Sequence, residues 1–158
     1  MDIKYSGDVM ATITMTRCKL AGTGGYTYMT ANRSGSITFN NCIFNNTTST
    51  FYAFCTVTIN NSYFNIAAST SSYFRLRAKT LTINNSRFLE NTSTGLVGVQ
   101  DYAGSKIVFK GNEFYGNLMI DTTNSNAYEV DVQYCKIINK TKNIFQSTTP
   151  ASILTFTF

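Results

Sequence analysis

The sequence has no histidine, no tryptophan and only one proline, and charged residues make up 13% of its 158 positions. Without histidine or a Cys-x-x-Cys pair, a zinc or transition-metal site lacks its usual ligands, so we expect no metal and no cofactor. No apolar run approaches the roughly 18 residues of a membrane span, so we expect no membrane insertion. A basic start followed by an apolar run is also missing, so the sequence predicts no signal peptide.

The charged fraction is about half of what globular proteins usually carry. The outer surface must therefore be built mainly from serine, threonine and asparagine. Hydrophobic residues make up 43% of the chain, which is enough for a sizeable core. Sustained helical periodicity is absent, so we expect almost no helix and a single all-β domain over residues 1–158.

Repetition is the main feature that the sequence does contain. The segment VTINNSYF at 57–64 has near copies, ITFNNCIF at 37–44 and LTINNSRF at 81–88. Looser copies are ITMTRCKL at 13–20, IVFKGNEF at 107–114 and VDVQYCKI at 130–137, with a half-copy, ILTFTF, at 153–158. Their first residues lie 24, 20, 24, 26, 23 and 23 positions apart. A period in this range predicts a solenoid.

Each copy alternates apolar and polar residues, which is typical of a half-buried strand. In the copy at 57–64, Val57 and Ile59 are predicted to point inward. After the Asn60-Asn61 pair the inward positions pass to Ser62 and Phe64, so the pair predicts a corner between two short strands.

The second corner position supports this interpretation, because asparagine and glycine enter the left-handed region at least cost. Arg17 and Tyr134 depart from that preference, so we expect the corner to differ in their two copies. The remaining copies have Asn41, Asn61, Asn85 and Gly111 at this position.

A third short strand is predicted between successive copies. Its candidate segments are 26–29, 51–54, 74–76, 96–99, 118–120 and 144–145. With its inward columns and asparagine-rich corner, the chain resembles the right-handed single-stranded parallel β-helices of the pectate-lyase and phage-tailspike type. The resemblance implies about six to seven rungs of 20–26 residues each. The inward columns are Ile13, Ile37, Val57, Leu81, Ile107 and Val130, and Met15, Phe39, Ile59, Ile83, Phe109 and Val132.

That fold hosts lyases, hydrolases, adhesins and non-catalytic fibres. We expect a non-catalytic segment of an extracellular fibre that recognises a cell-surface glycan, such as a phage tail fibre or tailspike or a bacterial adhesin. The location would be a virion tail or a cell surface. The alternative is a polysaccharide lyase or glycoside hydrolase.

Catalysis by this fold requires clustered carboxylates or a base beside a cation site. Among the eight carboxylates, only Glu129 and Asp131 form an i, i+2 pair on one outward face, about 6.6 Å apart by strand rise. This separation is near that of an inverting glycosidase pair. Two solvated acids on a strand are the preferred interpretation, so the pair is a weak catalytic alternative.

A basic surface is the candidate glycan site. Arg75 and Arg77 alternate with apolar residues, Lys79 continues their line, and Tyr73 lies beside them. Such a face could hold carboxylate or phosphate groups of a glycan through bidentate contacts. The competing interpretation is a solvated strand. The other basic residues are scattered, so we expect no nucleic-acid partner.

Threonines form a further outward pattern. A T-x-T ladder crosses four copies and resembles the ice-binding face of some antifreeze proteins, although threonine is also a favoured residue on exposed strands. The ladder consists of Thr12, Ser36, Thr56 and Thr80 in one column and Thr14, Thr38, Thr58 and Thr82 in the next.

Three of the four cysteines, Cys18, Cys42 and Cys135, share one inward column with Ser62 and Ser86, and Asn112 completes it. We interpret the column as small core residues. A Cys18–Cys42 disulfide is the other possibility, because neighbouring strands lie about 4.8 Å apart.

The ends carry no capping helix, and open β-helix ends expose unpaired backbone groups. We therefore expect either a piece of a longer protein or ends that dock on partner subunits. Phage fibre β-helices usually work as trimers, and the resemblance implies a homotrimer here, with contacts through Leu154, Phe156 and Phe158.

Overall fold

The computed structural model describes about three fifths of the chain, and every element in that part is a β-strand or the turn that joins two strands. No helix occurs among these residues, and so none is long and apolar enough to cross a lipid bilayer. The described residues are 3–4, 12–22, 25–30, 35–46, 49–52, 55–65, 74–78, 80–89, 97–98, 105–115, 128–138 and 153–158.

The strands form three sheets, and every strand pairing is parallel. The first sheet contains β1 (Ile3–Lys4), β4 (Gly25–Thr30), β7 (Ser49–Tyr52), β10 (Phe74–Arg77) and β13 (Val97–Gly98). The second contains β2 (Thr12–Thr16), β5 (Ser36–Asn40), β8 (Thr56–Asn60), β11 (Thr80–Asn84), β14 (Ser105–Lys110), β16 (Tyr128–Gln133) and β18 (Ile153–Thr157). The third contains β3 (Lys19–Gly22), β6 (Ile43–Asn46), β9 (Tyr63–Asn65), β12 (Arg87–Phe88), β15 (Glu113–Phe114) and β17 (Lys136–Ile137).

The sequence copies stack in the register that their alignment predicts. Val57 pairs with Ile37 on one side and Leu81 on the other, and Ile59 pairs with Phe39 and Ile83. All six side chains are at most 1% exposed, whereas the intervening threonines face outward. Alternation within a strand and identical register between strands therefore build one continuous apolar column for each inward position.

Phenylalanine rings stack along the inner face of the third sheet. The Phe44 and Phe64 centroids are 4.7 Å apart, those of Phe64 and Phe88 are 4.3 Å apart, and both ring pairs are nearly parallel. Phe114 continues the stack at 4.8 Å. Phe109, on the second sheet, packs edge-on against Phe114, with the ring centroids 5.5 Å apart. The predicted inward positions of Ser62 and Phe64 are confirmed, because both residues are buried.

The corner between the second and third sheets is left-handed in all six copies. Asn61 has φ 50°, and Gly111 has φ 64°. The expectation of a different corner at Arg17 and Tyr134 is wrong, because their φ values are 57° and 52°. The parallel ladder imposes this geometry: the Arg17 N–H donates to the Asn40 carbonyl at 2.9 Å and the Tyr134 N–H donates to the Thr157 carbonyl at 3.0 Å. These bonds outweigh a conformational cost of roughly 1–2 kcal/mol for each side chain.

The predicted third strand is present in four intervals between copies, where β4, β7, β10 and β13 overlap the expected segments. In β7 the strand begins two residues earlier than expected, at Ser49. The segments expected at 118–120 and 144–145 lie outside the described residues.

Candidate functional site

The basic surface predicted from the sequence falls partly outside the described residues. Arg75 and Arg77 occupy alternate positions of β10, where Arg75 pairs with Thr50 and Arg77 with Tyr52. Tyr73 and Lys79 lie outside the described part of the chain, as do the side chains of both arginines. The backbone register is therefore known, and the site itself stays a prediction.

Glu129 and Asp131 lie on the outer face of β16, separated by the buried Val130. Glu129 Oε1 accepts a hydrogen bond from Lys106 Nζ at 2.6 Å, in the neighbouring strand. Asp131 Oδ2 accepts one from Gln133 Nε2 at 2.6 Å, and its Oδ1 is shielded from solvent with no partner among the described residues. Each carboxylate is thus engaged by a neighbour in its own sheet, which is typical of a surface polar network.

The ion pair with Glu129 affects the pKa of Lys106. Its pKa is raised above the ordinary lysine value, first by the hydrogen bond to Glu129 and then by the attraction of that carboxylate. The Glu129 side chain is thus held in an ion pair with Lys106 on the outer face of the second sheet.

The outer face of the third sheet carries a network of polar and aromatic side chains. Tyr63, Arg87 and Glu113 occupy one column on adjacent strands, in direct register. The outward positions two residues further on are Asn65, Leu89 and Tyr115, whose backbones continue the same ladders. We call these six residues the tyrosine–arginine patch.

Glu113 is the centre of the network. Arg87 Nε lies 2.7 Å from Glu113 Oε2, and the Tyr115 hydroxyl donates to the same oxygen at 3.0 Å. The arginine side chain is 50% exposed and the glutamate 26%. The network is therefore held by short contacts while it remains open to solvent.

The pKa shifts agree with this geometry. Hydrogen bonding with the Tyr63 side chain, followed by the attraction of Glu113, raises the pKa of Arg87 above its ordinary value. The hydrogen bond to Glu113 is the main cause that raises the pKa of Tyr115. Arg87 thus stays charged and Tyr115 stays a neutral donor at physiological pH.

The basic surface predicted from the sequence contains Arg75 and Arg77, and the sequence analysis connected Arg87 with neither Glu113 nor Tyr115. In the structure Arg87 belongs to the third sheet, whereas the other two arginines belong to the first. The signal was present in the alignment, since Tyr63, Arg87 and Glu113 are the seventh residues of three successive copies.

The threonine ladder on the second sheet has the predicted register. Thr56 pairs with Thr80, and Thr58 pairs with Thr38 and Thr82. Beside the threonines runs an asparagine ladder in which each side-chain amide donates to the side-chain carbonyl oxygen of the preceding copy. These bonds are Asn60 Nδ2 to Asn40 Oδ1 and Asn84 Nδ2 to Asn60 Oδ1, both 2.9 Å.

The inward cysteine column is also confirmed. Cys42 is buried, Cys18 and Cys135 are partly buried, and all are free thiols, as is the buried Cys55. Desolvation raises the pKa values of Cys42 and Cys135, and it raises that of Cys55 to about 11. Within the described ranges, no three cysteine or carboxylate side chains come together as a metal site.

Comparison of the chain with protein-family models, with curated proteins and with solved structures finds no match. Any functional assignment therefore depends on the residues and their geometry.

Proposed function

We propose that this chain is a non-catalytic, rod-forming segment of an extracellular fibre that recognises a cell-surface glycan. The strands would coil as a right-handed parallel β-helix of about six to seven rungs. A phage tail fibre or tailspike, or a bacterial adhesin, is the setting we propose, on a virion tail or a cell surface. The ladder of seven parallel strands in unbroken register is the observation that carries the proposal.

A fibre must be stiff, and the ladder supplies stiffness in two ways. Backbone hydrogen bonds join each copy to the next, and the phenylalanine stack fills the interior along the same direction. Close-packed interiors resist deformation. The outer face of β5, β8 and β11 is uncharged, so hydroxyl and amide groups are available to a hydroxylated ligand.

A homotrimer is part of the proposal. Phe156 is 42% exposed and Phe158 is 99% exposed at the end of β18, and their rings stack 6.5 Å apart. Leu154 precedes them in the same strand and pairs with Val130 through its backbone. Burying the exposed rings against two other copies would stabilise the trimer by about 25 cal/mol for each Å² of apolar surface removed from water. Closed symmetry would also prevent growth into filaments.

Binding to whole bacterial cells and to their purified surface polysaccharides tests the glycan proposal, and sedimentation tests the trimer. We expect retention of the chain on cells of its host and release by the free polysaccharide. Absence of binding to any bacterial envelope polysaccharide would refute glycan recognition. A monomer with exposed Phe156 and Phe158 in the full-length protein would refute the trimer.

An assay for reducing ends and unsaturated products on the same polysaccharides distinguishes binding from catalysis. We expect no turnover. Turnover that Glu129→Gln or Asp131→Asn abolishes would establish the lyase or hydrolase alternative. Lys106→Gln serves as the control, because it removes the ion pair with Glu129 but neither carboxylate.

Ice binding is a second candidate, favoured by one specific observation. The threonine and serine hydroxyls repeat in register on four adjacent strands, about 4.8 Å apart between strands and about 6.6 Å apart along each strand. A regular hydroxyl array of this kind can order water. Thermal hysteresis that Thr58→Lys removes would support it, and the absence of hysteresis in the unchanged protein would exclude it.

A further inference from the structure

The tyrosine–arginine patch has the composition of a polyol-binding surface. It combines flat or apolar side chains, at Tyr63, Leu89 and Tyr115, with planar polar groups at Asn65, Arg87 and Glu113. A sugar ring presents an apolar face of C–H groups and an edge of hydroxyls, so it needs both kinds of partner side by side. Aromatic rings with polar ends supply such mixed contacts at low conformational cost.

The polar groups of the patch are held before any ligand arrives. Glu113 Oε2 takes both the Arg87 contact at 2.7 Å and the Tyr115 hydroxyl at 3.0 Å. Because both contacts with described residues end on Oε2, Oε1 of Glu113 is the acceptor that we assign to a ligand hydroxyl. The guanidinium has five N–H donors, more than these contacts use. Groups held in place in this way lose little entropy on binding.

The charges of the patch indicate which class of ligand it can bind. Arg87 and Glu113 compensate each other within 2.7 Å, so the pair presents no net charge to a ligand. Lys136 follows Glu113 in the column, and Lys19 stands at the far end beyond Ile43. Neither lysine lies between the two tyrosines. The centre of the patch therefore favours uncharged hydroxyl groups over carboxylates or phosphates.

The dimensions favour a chain over a single sugar. Tyr63 and Glu113 are two strand spacings apart, about 9.6 Å along the stacking direction. This length is comparable to that of a disaccharide. The column continues in both directions, past the exposed Ile43 on one side and Lys136 on the other, so a longer polymer can lie along it.

We propose that the patch formed by Tyr63, Asn65, Arg87, Leu89, Glu113 and Tyr115 binds a neutral polysaccharide, two sugar units of which lie along the strand-stacking direction. The inference rests on the proposed glycan recognition and names its surface and ligand class. It places the ligand on the third sheet, and the predicted Arg75 and Arg77 belong to the first.

Retardation of the whole chain in native gels that contain a dissolved polysaccharide tests the inference. Mannan and dextran are the neutral probes, and polygalacturonate is the anionic probe. We expect at least one neutral probe to retard the chain, with affinity changing less than about twofold between about 20 and 500 mM salt. Retardation by polygalacturonate alone, removed by high salt, would show that the ligand class is wrong.

Variants locate the site. Arg87→Ala and Tyr63→Ser should each weaken binding about tenfold, and Arg87→Lys should do so too because a lysine lacks the planar fork. Lys110→Gln, from the second sheet, is the control, and it should stay within about twofold. Unchanged circular dichroism identifies the variants that fold.

The possible failures are distinguishable. If the unchanged chain binds a neutral probe and the Arg87 and Tyr63 variants bind equally well, the patch assignment is wrong while glycan recognition stands. If none of the three probes retards the chain, the patch inference is overturned, and binding to bacterial envelope polysaccharides decides the wider proposal separately.

Discussion

Ser62 Oγ accepts the backbone N–H of Cys42 at 3.0 Å, across two neighbouring copies. The same bond recurs along the column, from the Ser62 N–H to Ser86 Oγ at 3.0 Å and from the Ser86 N–H to Asn112 Oδ1 at 2.8 Å. At the left-handed corner these backbone N–H groups do not bond to a backbone carbonyl of the neighbouring strand. A side-chain oxygen of the next copy accepts each hydrogen bond instead. The column therefore consists of small residues that can accept a hydrogen bond.

We predict that Ser62→Ala lowers the free energy of unfolding by about 1–3 kcal/mol, because the buried Cys42 N–H loses its acceptor. Urea denaturation measures the loss. Ser62→Cys should lose less, since Cys135 Sγ accepts the Asn112 N–H at 3.4 Å in the same column. Ser36→Ala, on the outer face, should change stability by less than about 0.5 kcal/mol. Equal losses in Ser62→Ala and Ser36→Ala would contradict the role of the column.

The phenylalanine stack gives a second prediction. Phe64 is fully buried, with Phe44 at 4.7 Å and Phe88 at 4.3 Å. Phe64→Ala should lower the free energy of unfolding by about 3–5 kcal/mol, because the neighbouring rings are fixed by the ladder and cannot fill the cavity. Denaturant titration provides the measurement. Thr58→Ala is the control and should cost far less, and similar losses would mean that the inner and outer faces are interchanged.

The core could be predicted because one physical rule determines it. Val57 and Ile59 alternate with threonines, and their neighbours in other copies have the same pattern, so parallel stacking in register follows from the alignment alone. The asparagine at position 61 likewise identified the corner. The same left-handed corner at Arg17 and Tyr134 could not be predicted from residue type. There the ladder hydrogen bonds on either side outweigh the conformational preference of arginine and tyrosine.

The site was harder to predict for a different reason. Arg87 and Glu113 are 26 positions apart, and their contact depends on long side chains that reach across strands. Register predicts that they are neighbours in a column. It does not predict that Tyr115, from the next column, donates to the same carboxylate oxygen.

The corner also gives a stabilising substitution. Tyr134 has φ 52° and its side chain is 63% exposed, so little packing is lost when it is replaced. We predict that Tyr134→Asn raises the free energy of unfolding by about 0.5–1 kcal/mol, because asparagine enters the left-handed region at lower cost. Thermal or urea unfolding measures the gain. Asn61→Tyr, the reverse change at the equivalent position, should be destabilising, and a loss in Tyr134→Asn would reveal a stabilising contact of the tyrosine ring.

Ionisation of the Cys55 thiol makes the free energy of unfolding depend on pH in alkaline solution. Its side chain is fully buried, and desolvation raises its pKa from the ordinary 9.0 to about 11. Below pH 9 the thiol is protonated in both the folded and the unfolded chain and contributes no pH dependence. Between pH 9 and about 11 the unfolded chain loses its proton first, so the folded state loses stability as the pH rises.

At roughly 1.4 kcal/mol for each pKa unit, the two-unit shift corresponds to a total loss of about 3 kcal/mol, of which about 2 kcal/mol is lost by pH 11, where the folded thiol is half ionised. Urea unfolding of the unchanged chain and of Cys55→Ala, under reducing conditions from about pH 8 to 11, isolates it, since tyrosines and lysines titrate alike in both proteins. The stability advantage of the unchanged chain should shrink as the pH rises. A constant advantage would mean that the Cys55 thiol ionises at its ordinary pKa, and hence that water reaches it in the folded protein.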